Sequence, residues 1–168
     1  MSLPILQPQD WIRYAAATDL YVAAEEGPGH GPLQGFYADR FGWQEEADSV
    51  NSVVASLSVS DQSRLSILCD DYGEASALQF LSPSLSSVIS GQNNYWLWGP
   101  GTNTGEVVLI ISGRPLTALR EEYEQVDIVG TMDSSSLQMP YVRQETMYLA
   151  RKRHRSLQAD WFHFKKFI

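Results

Sequence analysis

Apolar residues in this chain alternate between helical spacings and short unbroken runs. Trp43, Ala47, Val50, Val54 and Leu57 recur at the spacing of a helix buried along one side. Glu45, Glu46 and Asp48 place negative charge where a helix N-terminus favours it, so a helix is predicted over 43–58. Leu65-Ser66-Ile67-Leu68-Cys69 is a compact apolar run closed by Asp70-Asp71-Tyr72-Gly73, the pattern of a buried strand that ends in a polar loop. A helix over 75–81, a short strand over 87–90 and the strongest strand, 106–112 around Val107-Val108-Leu109-Ile110-Ile111, follow in order. Pro115 suits a first helical turn, and Leu116, Leu119 and Tyr123 give an apolar face that predicts a helix ending near Gln125. Strands over 126–130 and 147–150 come next, then Leu157, Trp161 and Phe164 as a closing amphipathic helix or aromatic plug.

This alternation predicts an α/β fold. The expected arrangement is three-layer, a mostly parallel or mixed sheet with helices on both faces, Rossmann or flavodoxin-like. Residues 1–42 hold prolines at 4, 8, 28 and 32, the turn Gly27-Pro28-Gly29-His30-Gly31 and one short helix at 10–17. They read as a lead-in that wraps the core, leaving 43–168 as a single α/β domain. The Ser-rich stretch 131–144 is expected to be polar and irregular.

At 168 residues, 43% apolar and 19% charged, the chain has the size and composition of one globular core. No window approaches the roughly 18 apolar residues of a membrane span, so none is expected within it. Residues 1–150 carry 6 basic and 19 acidic side chains, a balance of −13, while residues 151–168 carry 6 and 1, or +5, which together make the net −8. An acidic body repels phosphate backbones, and nucleic acid is excluded as a partner. The basic run Arg151, Lys152, Arg153, His154 and Arg155 fits anionic lipid headgroups or, more simply, a solvated face near the chain end.

The candidate chemistry lies at predicted strand ends. In an open parallel sheet the loops after adjacent strands meet at one edge. Asp70, Asp71, Tyr72 and Glu74 follow one strand, and Gln92, Asn93, Asn94, Tyr95 and Trp98 follow the next, within the loop predicted over 90–100. Carboxylates, amides and flat aromatic faces suit a polyhydroxylated ring or a polar head group. The same residues also fit a structural reading, in which Tyr95, Trp96 and Trp98 cover the sheet edge, Asn93 and Asn94 bond their own backbone, and Asp70, Asp71 or Glu74 caps a helix. Catalysis by Asp70, Asp71 and Glu74 lacks an accompanying nucleophile or base, and adjacent carboxylates point to opposite sides of an extended chain. Cys69, inside an apolar run, reads as a buried thiol. His30, His154 and His163 lack ligand spacing, so neither metal nor cofactor is expected.

Several motifs in order resemble one family. They are Leu3-Pro4-Ile5-Leu6, Trp11-Ile12-Arg13-Tyr14, Gly31-Pro32-Leu33, Tyr37-Ala38-Asp39-Arg40-Phe41-Gly42-Trp43, Tyr72-Gly73-Glu74-Ala75 and the segment 90–100. Together they resemble the C-terminal soluble part of bacterial membrane glycosyltransferases related to the dolichyl-phosphate-mannose protein mannosyltransferase family. The resemblance implies a parent enzyme that moves a sugar from a lipid-phosphate donor, with its catalytic acids in a loop of a multi-spanning region outside this chain. It also implies a location on the extracytoplasmic, periplasmic face of the inner membrane. This part would then be non-catalytic, a recognition or docking domain whose partners are the parent's membrane-spanning region and a sugar or lipid-phosphate head group.

The chain departs from the family pattern at Gln92, where a histidine is usual, and at Asp71, where an asparagine is usual. Glutamine keeps a donor and an acceptor but does not titrate near neutrality, so hydrogen bonding survives there and proton transfer does not. The alternative reading, from the edge chemistry alone, is a free-standing sugar- or nucleotide-binding module.

Overall fold

The computed structural model describes residues 5–20, 31–85, 87–132, 135–138 and 145–167. The described elements run α1 (Pro8–Thr18), α2 (Gly35–Ala38), α3 (Trp43–Ser56), α4 (Val59–Gln62), β1 (Leu65–Cys69), α5 (Tyr72–Leu81), β2 (Val88–Ser90), α6 (Asn93–Trp98), β3 (Val107–Ser112), α7 (Leu116–Leu119), β4 (Tyr123–Thr131), β5 (Thr146–Arg153) and α8 (Leu157–Asp160), with a closing 3-10 turn at Trp161–Phe164. The expected turn at 27–31, apart from Gly31, and most of the Ser-rich stretch 131–144 lie outside the described residues.

The chain is an α/β domain built on a five-stranded mixed sheet in the order β2-β1-β3-β5-β4. Strands β2, β1 and β3 are parallel, whereas β5 runs antiparallel to both β3 and β4. All six residues of β3 are buried, which explains a run with no polar alternation before Ser112.

Successive residues of these strands feed two separate cores. Ile67, Cys69, Leu109, Ile111 and Met147 point to one face, where Ala47 and Val50 of α3 and Ala75 and Leu78 of α5 cover them. Leu68, Val108, Ile110, Tyr148 and Ala150 point to the other, against Leu119, Leu157 and Trp161. Removing a side chain such as Leu109 would cost about 2–5 kcal/mol in lost transfer energy and residual cavity. The N-terminal segment forms a cluster of its own, with Leu33, Tyr37 and Ala38 packed by Trp11, Ile12, Phe41 and Leu137.

Three expectations need correction. The helix predicted to run from Pro115 to near Gln125 stops at Leu119, and Tyr123 begins β4. Tyr123 sits opposite Arg153 in the ladder and is 1% exposed, so pairing with β5 and burial of the ring outweigh a helical spacing that three residues satisfied by coincidence.

The basic run is a solvated face only in part: Lys152, His154 and Arg155 are exposed, while Arg151 and Arg153 are drawn in. β5 continues through Arg153, where Arg151 reaches Asp61 at 3.0 Å and Asp127 at 3.2 Å, and Lys152 reaches Glu124 at 3.1 Å. Arg153 is buried against Asp160 at 2.6 Å, with its guanidinium 5.5 Å from the ring centres of Tyr123 and Phe164. Partners distant in sequence pair with Arg151, Lys152 and Arg153, and the rest of the run stays solvated.

The segment 90–100 is not a loop throughout, since Asn93–Trp98 forms α6. Tyr95 and Trp96, adjacent in sequence, are each captured by a different neighbour, and Gly99 at φ +76° ends the helix.

Candidate binding site

The parallel strands β1, β2 and β3 end at one edge of the sheet, and antiparallel β5 begins there. This edge carries Asp70 after β1, Gln92 after β2, Ser112 at the end of β3 and Glu145 just before β5. The two predicted loops do meet, because the Gln92 side-chain oxygen accepts a hydrogen bond from the Tyr72 backbone N–H at 2.8 Å.

Much of the edge chemistry is satisfied internally. Asp70 accepts the Ser112 hydroxyl at 2.5 Å, and the same hydroxyl oxygen accepts the Arg114 N–H at 3.0 Å. Burial raises the Asp70 pKa, opposed by the Ser112 bond and by the positive charges of Lys166 and Arg114. Asp71 caps α5, accepting the N–H of Gly73 at 2.5 Å and of Glu74 at 3.4 Å, while Glu74 reaches back to the Asp71 N–H at 3.3 Å. This is a capping box, the structural role open to Asp71 and Glu74 from sequence.

Gln92 is buried, and the backbone around it joins the C-terminal segment: Asn93 N–H donates to Lys166 at 2.9 Å and Lys166 N–H to Gly91 at 3.0 Å. A Cβ on Gly91 would lie 2.2 Å from the Phe164 carbonyl oxygen, so the crossing requires glycine. Tyr95 is buried, its hydroxyl donating to Gln79 at 2.7 Å. Trp96 and Trp161 exchange bonds, each indole N–H donating to the other's backbone carbonyl at 3.0 and 2.9 Å. Asn94 and Leu97 face solvent, Trp98 is 68% exposed and Tyr72 is partly so. Of the nine candidates, Asn94, Trp98 and Tyr72 are therefore the most open to a ligand or partner. Asp71, Glu74, Gln92 and Tyr95 hold the edge together.

Two acids missed as site residues complete the edge. Burial and a hydrogen bond with Glu145 raise the Glu74 pKa, and burial raises that of Glu145, so the pair holds a proton between its two carboxyl groups. Glu46, in the first turn of α3, is pushed up to about 8 by burial and by the charges of Glu145 and Asp71, and one of its carboxyl oxygens is buried without a hydrogen-bond partner. The helical pattern gave Glu46 a place at a helix start, and nothing local marked Glu145. Its arrival depends on β5 running antiparallel to β3. The Cys69 thiol, fully enclosed and close to these acids, is pushed well up and stays protonated.

The arrangement can hold protons and donate hydrogen bonds. Among the described residues, no group of His, Cys, Asp and Glu side chains has the geometry to hold a metal ion. No helix among them is long and apolar enough to cross a membrane. Comparison with known proteins finds no matching family model, no matching curated protein and no matching solved structure.

Proposed function

We propose that this chain is a non-catalytic recognition or docking domain of a membrane glycosyltransferase that uses a lipid-phosphate sugar donor, held at the extracytoplasmic face by the membrane-spanning region of the same parent. The observation that carries the reading is α6. Its Tyr95 and Trp96 are locked into the domain, while Leu97 (63% exposed) and Trp98 (68% exposed) project outward. An exposed tryptophan beside an exposed leucine, on a helix whose inner residues are held fast, is the kind of anchor that interfaces concentrate their energy in. The order β2-β1-β3, with cores on both faces of the sheet, supports reading the fold as three-layer and Rossmann or flavodoxin-like. The internal bonding of Asp71, Glu74 and Gln92 supports a positioning role for the motif residues in place of a catalytic one.

Co-purification tests the reading. The parent's membrane-spanning region, produced as a separate polypeptide in nanodiscs, is expected to retain the tagged chain, and Leu97→Ala with Trp98→Ala to weaken retention at least about tenfold. A reading frame with no multi-spanning region beside this chain, or retention indifferent to both substitutions, ends the proposal.

A further inference from the structure

Residues 75–105 contain no charged side chain, and residues 161–168 contain Lys165, Lys166 and His163 but no acid. All 20 acids of the chain lie outside these two stretches. Four of the five exposed phenylalanine and tryptophan side chains among the described residues lie inside them, Phe80, Trp98, Phe162 and Phe167, the fifth being Phe36. A lone exposed apolar side chain is ordinary, whereas several gathered where charge is depleted mark an interaction surface.

Tertiary structure joins the two stretches. The backbone bridge between Gln92 and Lys166 fixes the C-terminal segment to the start of α6. Trp96 is the platform they share. Its ring lies 5.8 Å from that of Phe167, edge to face, and the Lys165 ammonium sits 4.8 Å from the centre of Trp96 and 5.2 Å from that of Phe167. Trp161 is tied to Trp96 by the exchanged indole bonds, and the next residue, Phe162, is 71% exposed. Phe167 is 51% exposed, so two rings are presented outward beside a cation.

Charge selects what covers this face. Arg151, Lys152 and Arg153 are matched to acids, so that part of the basic run has little charge to offer a partner. Lys166 acts on Asp70 and Glu145 at the strand-end edge. Lys165 is left: among the described residues it makes no ion pair, and its ammonium rests on π faces. A bilayer interface accepts aromatic rings at the headgroup level and lets a lysine stem lie along apolar surface while its ammonium reaches phosphate. An anionic surface repels a chain of net charge −8, least of all where the acids are absent, and that difference orients the domain.

We propose that the face made by Trp96, Phe162, Lys165 and Phe167 rests on an anionic lipid bilayer, its exposed rings at headgroup level and its lysine on lipid phosphates. This face adjoins Leu97 and Trp98 on α6, yet the inference concerns the chain by itself and does not rest on docking to a membrane-spanning region. Flotation of the purified chain tests it, with vesicles of phosphatidylcholine alone and of phosphatidylcholine with phosphatidylglycerol. Neither mixture contains a sugar or polyprenyl lipid, so binding reports the bilayer itself. The chain is expected to bind the anionic vesicles at least about tenfold more tightly than the neutral ones, and Phe162→Ala with Phe167→Ala to weaken that binding at least about tenfold. Lys165→Gln should weaken it and reduce its sensitivity to salt. Phe36→Ala, which removes an exposed ring on α2, should leave it unchanged. Circular dichroism identifies the folded variants, and the exposed Lys165 gives a variant that tests the face without touching a ring. No binding to anionic vesicles, equal binding to both mixtures, binding unchanged in Lys165→Gln or in a folded Phe162/Phe167 variant, or an equal loss in Phe36→Ala would overturn the proposal. Retention by nanodiscs of phosphatidylcholine that carry the membrane-spanning region reports the docking role separately, and its failure alone leaves the lipid face standing.

Discussion

The Glu74 and Glu145 carboxyl groups share a hydrogen bond across the edge where β1 ends and β5 begins. The bond requires a proton that a free glutamate would have lost well below neutrality. Burial keeps it in place, and the same Glu74 side chain closes the capping box on Asp71.

Stability should therefore fall as the solution becomes more alkaline. Glu46, Glu74, Asp70 and Glu145 all have pKa values raised by burial, so the folded chain binds more protons than the unfolded chain above the ordinary carboxylate range. The contribution of Glu46 is full below about pH 4.5 and is lost as pH rises toward its value of about 8. The Asp61 and Asp160 carboxyls, lowered mainly by hydrogen bonds from Arg151 and Arg153, oppose this only in acid. Urea denaturation between pH 5 and 9 should show decreasing stability, and Glu46→Gln should flatten the slope and add roughly 1–3 kcal/mol at pH 9. A Glu46→Gln curve parallel to the parent would show that Glu46 is not one of the titrating groups.

Asp71→Ala removes the acceptor for two N–H groups at the start of α5 and is expected to cost about 1 kcal/mol, whereas Asp71→Asn keeps an acceptor and costs less. Chemical denaturation of the two variants checks the order. Equal losses would mean that the capping oxygen is not what matters at this position.

Arg153 couples β5 to α8 by its bond to Asp160 and lies over two aromatic rings. Arg153→Ala should cost about 1–3 kcal/mol, because Asp160, still 3.1 Å from Arg155, loses the more enclosed of its two cationic partners. Arg153→Lys should recover only part, since an ammonium lacks the planar face and the forked donors of arginine. The midpoint of thermal unfolding distinguishes these cases, and full recovery by lysine would reduce the interaction to simple charge.

Gly91→Ala drives a Cβ into the Phe164 carbonyl and should open the bridge between residue 92 and the C-terminal segment. A loss of about 1–3 kcal/mol is expected. Hydrogen exchange gives the sharper readout, with faster exchange at the Asn93 and Lys166 amides before any change in β3. Unchanged protection there would show that the chain relieves the contact by a local shift.

The elements carried by their own apolar runs were legible from the chain. The strand over 65–69 and the helix starting at Trp43 match β1 and α3 closely, because a buried run or a one-sided helical stripe states its burial locally. The helix expected through Tyr123 was not legible correctly, since Leu116, Leu119 and Tyr123 fit a helix until β5 pairs with Tyr123. Ser90-Gly91-Gln92-Asn93-Asn94-Tyr95-Trp96 likewise gave no sign that Tyr95 would turn to Gln79 and Trp96 to Trp161, contacts that span 16 and 65 positions.

At the candidate site, the types and spacing of residues determined that two polar strand ends would meet, and the Gln92 contact with Tyr72 realises that meeting. Tertiary structure alone decided which of their side chains remained open. It brought Glu145 beside Glu74 and matched the basic residues of β5 to acids on other elements. Local pattern records how strongly each residue prefers to be buried. Strand direction and long-range pairing choose its neighbour, and a carboxyl group's charge depends on that neighbour and on its access to water.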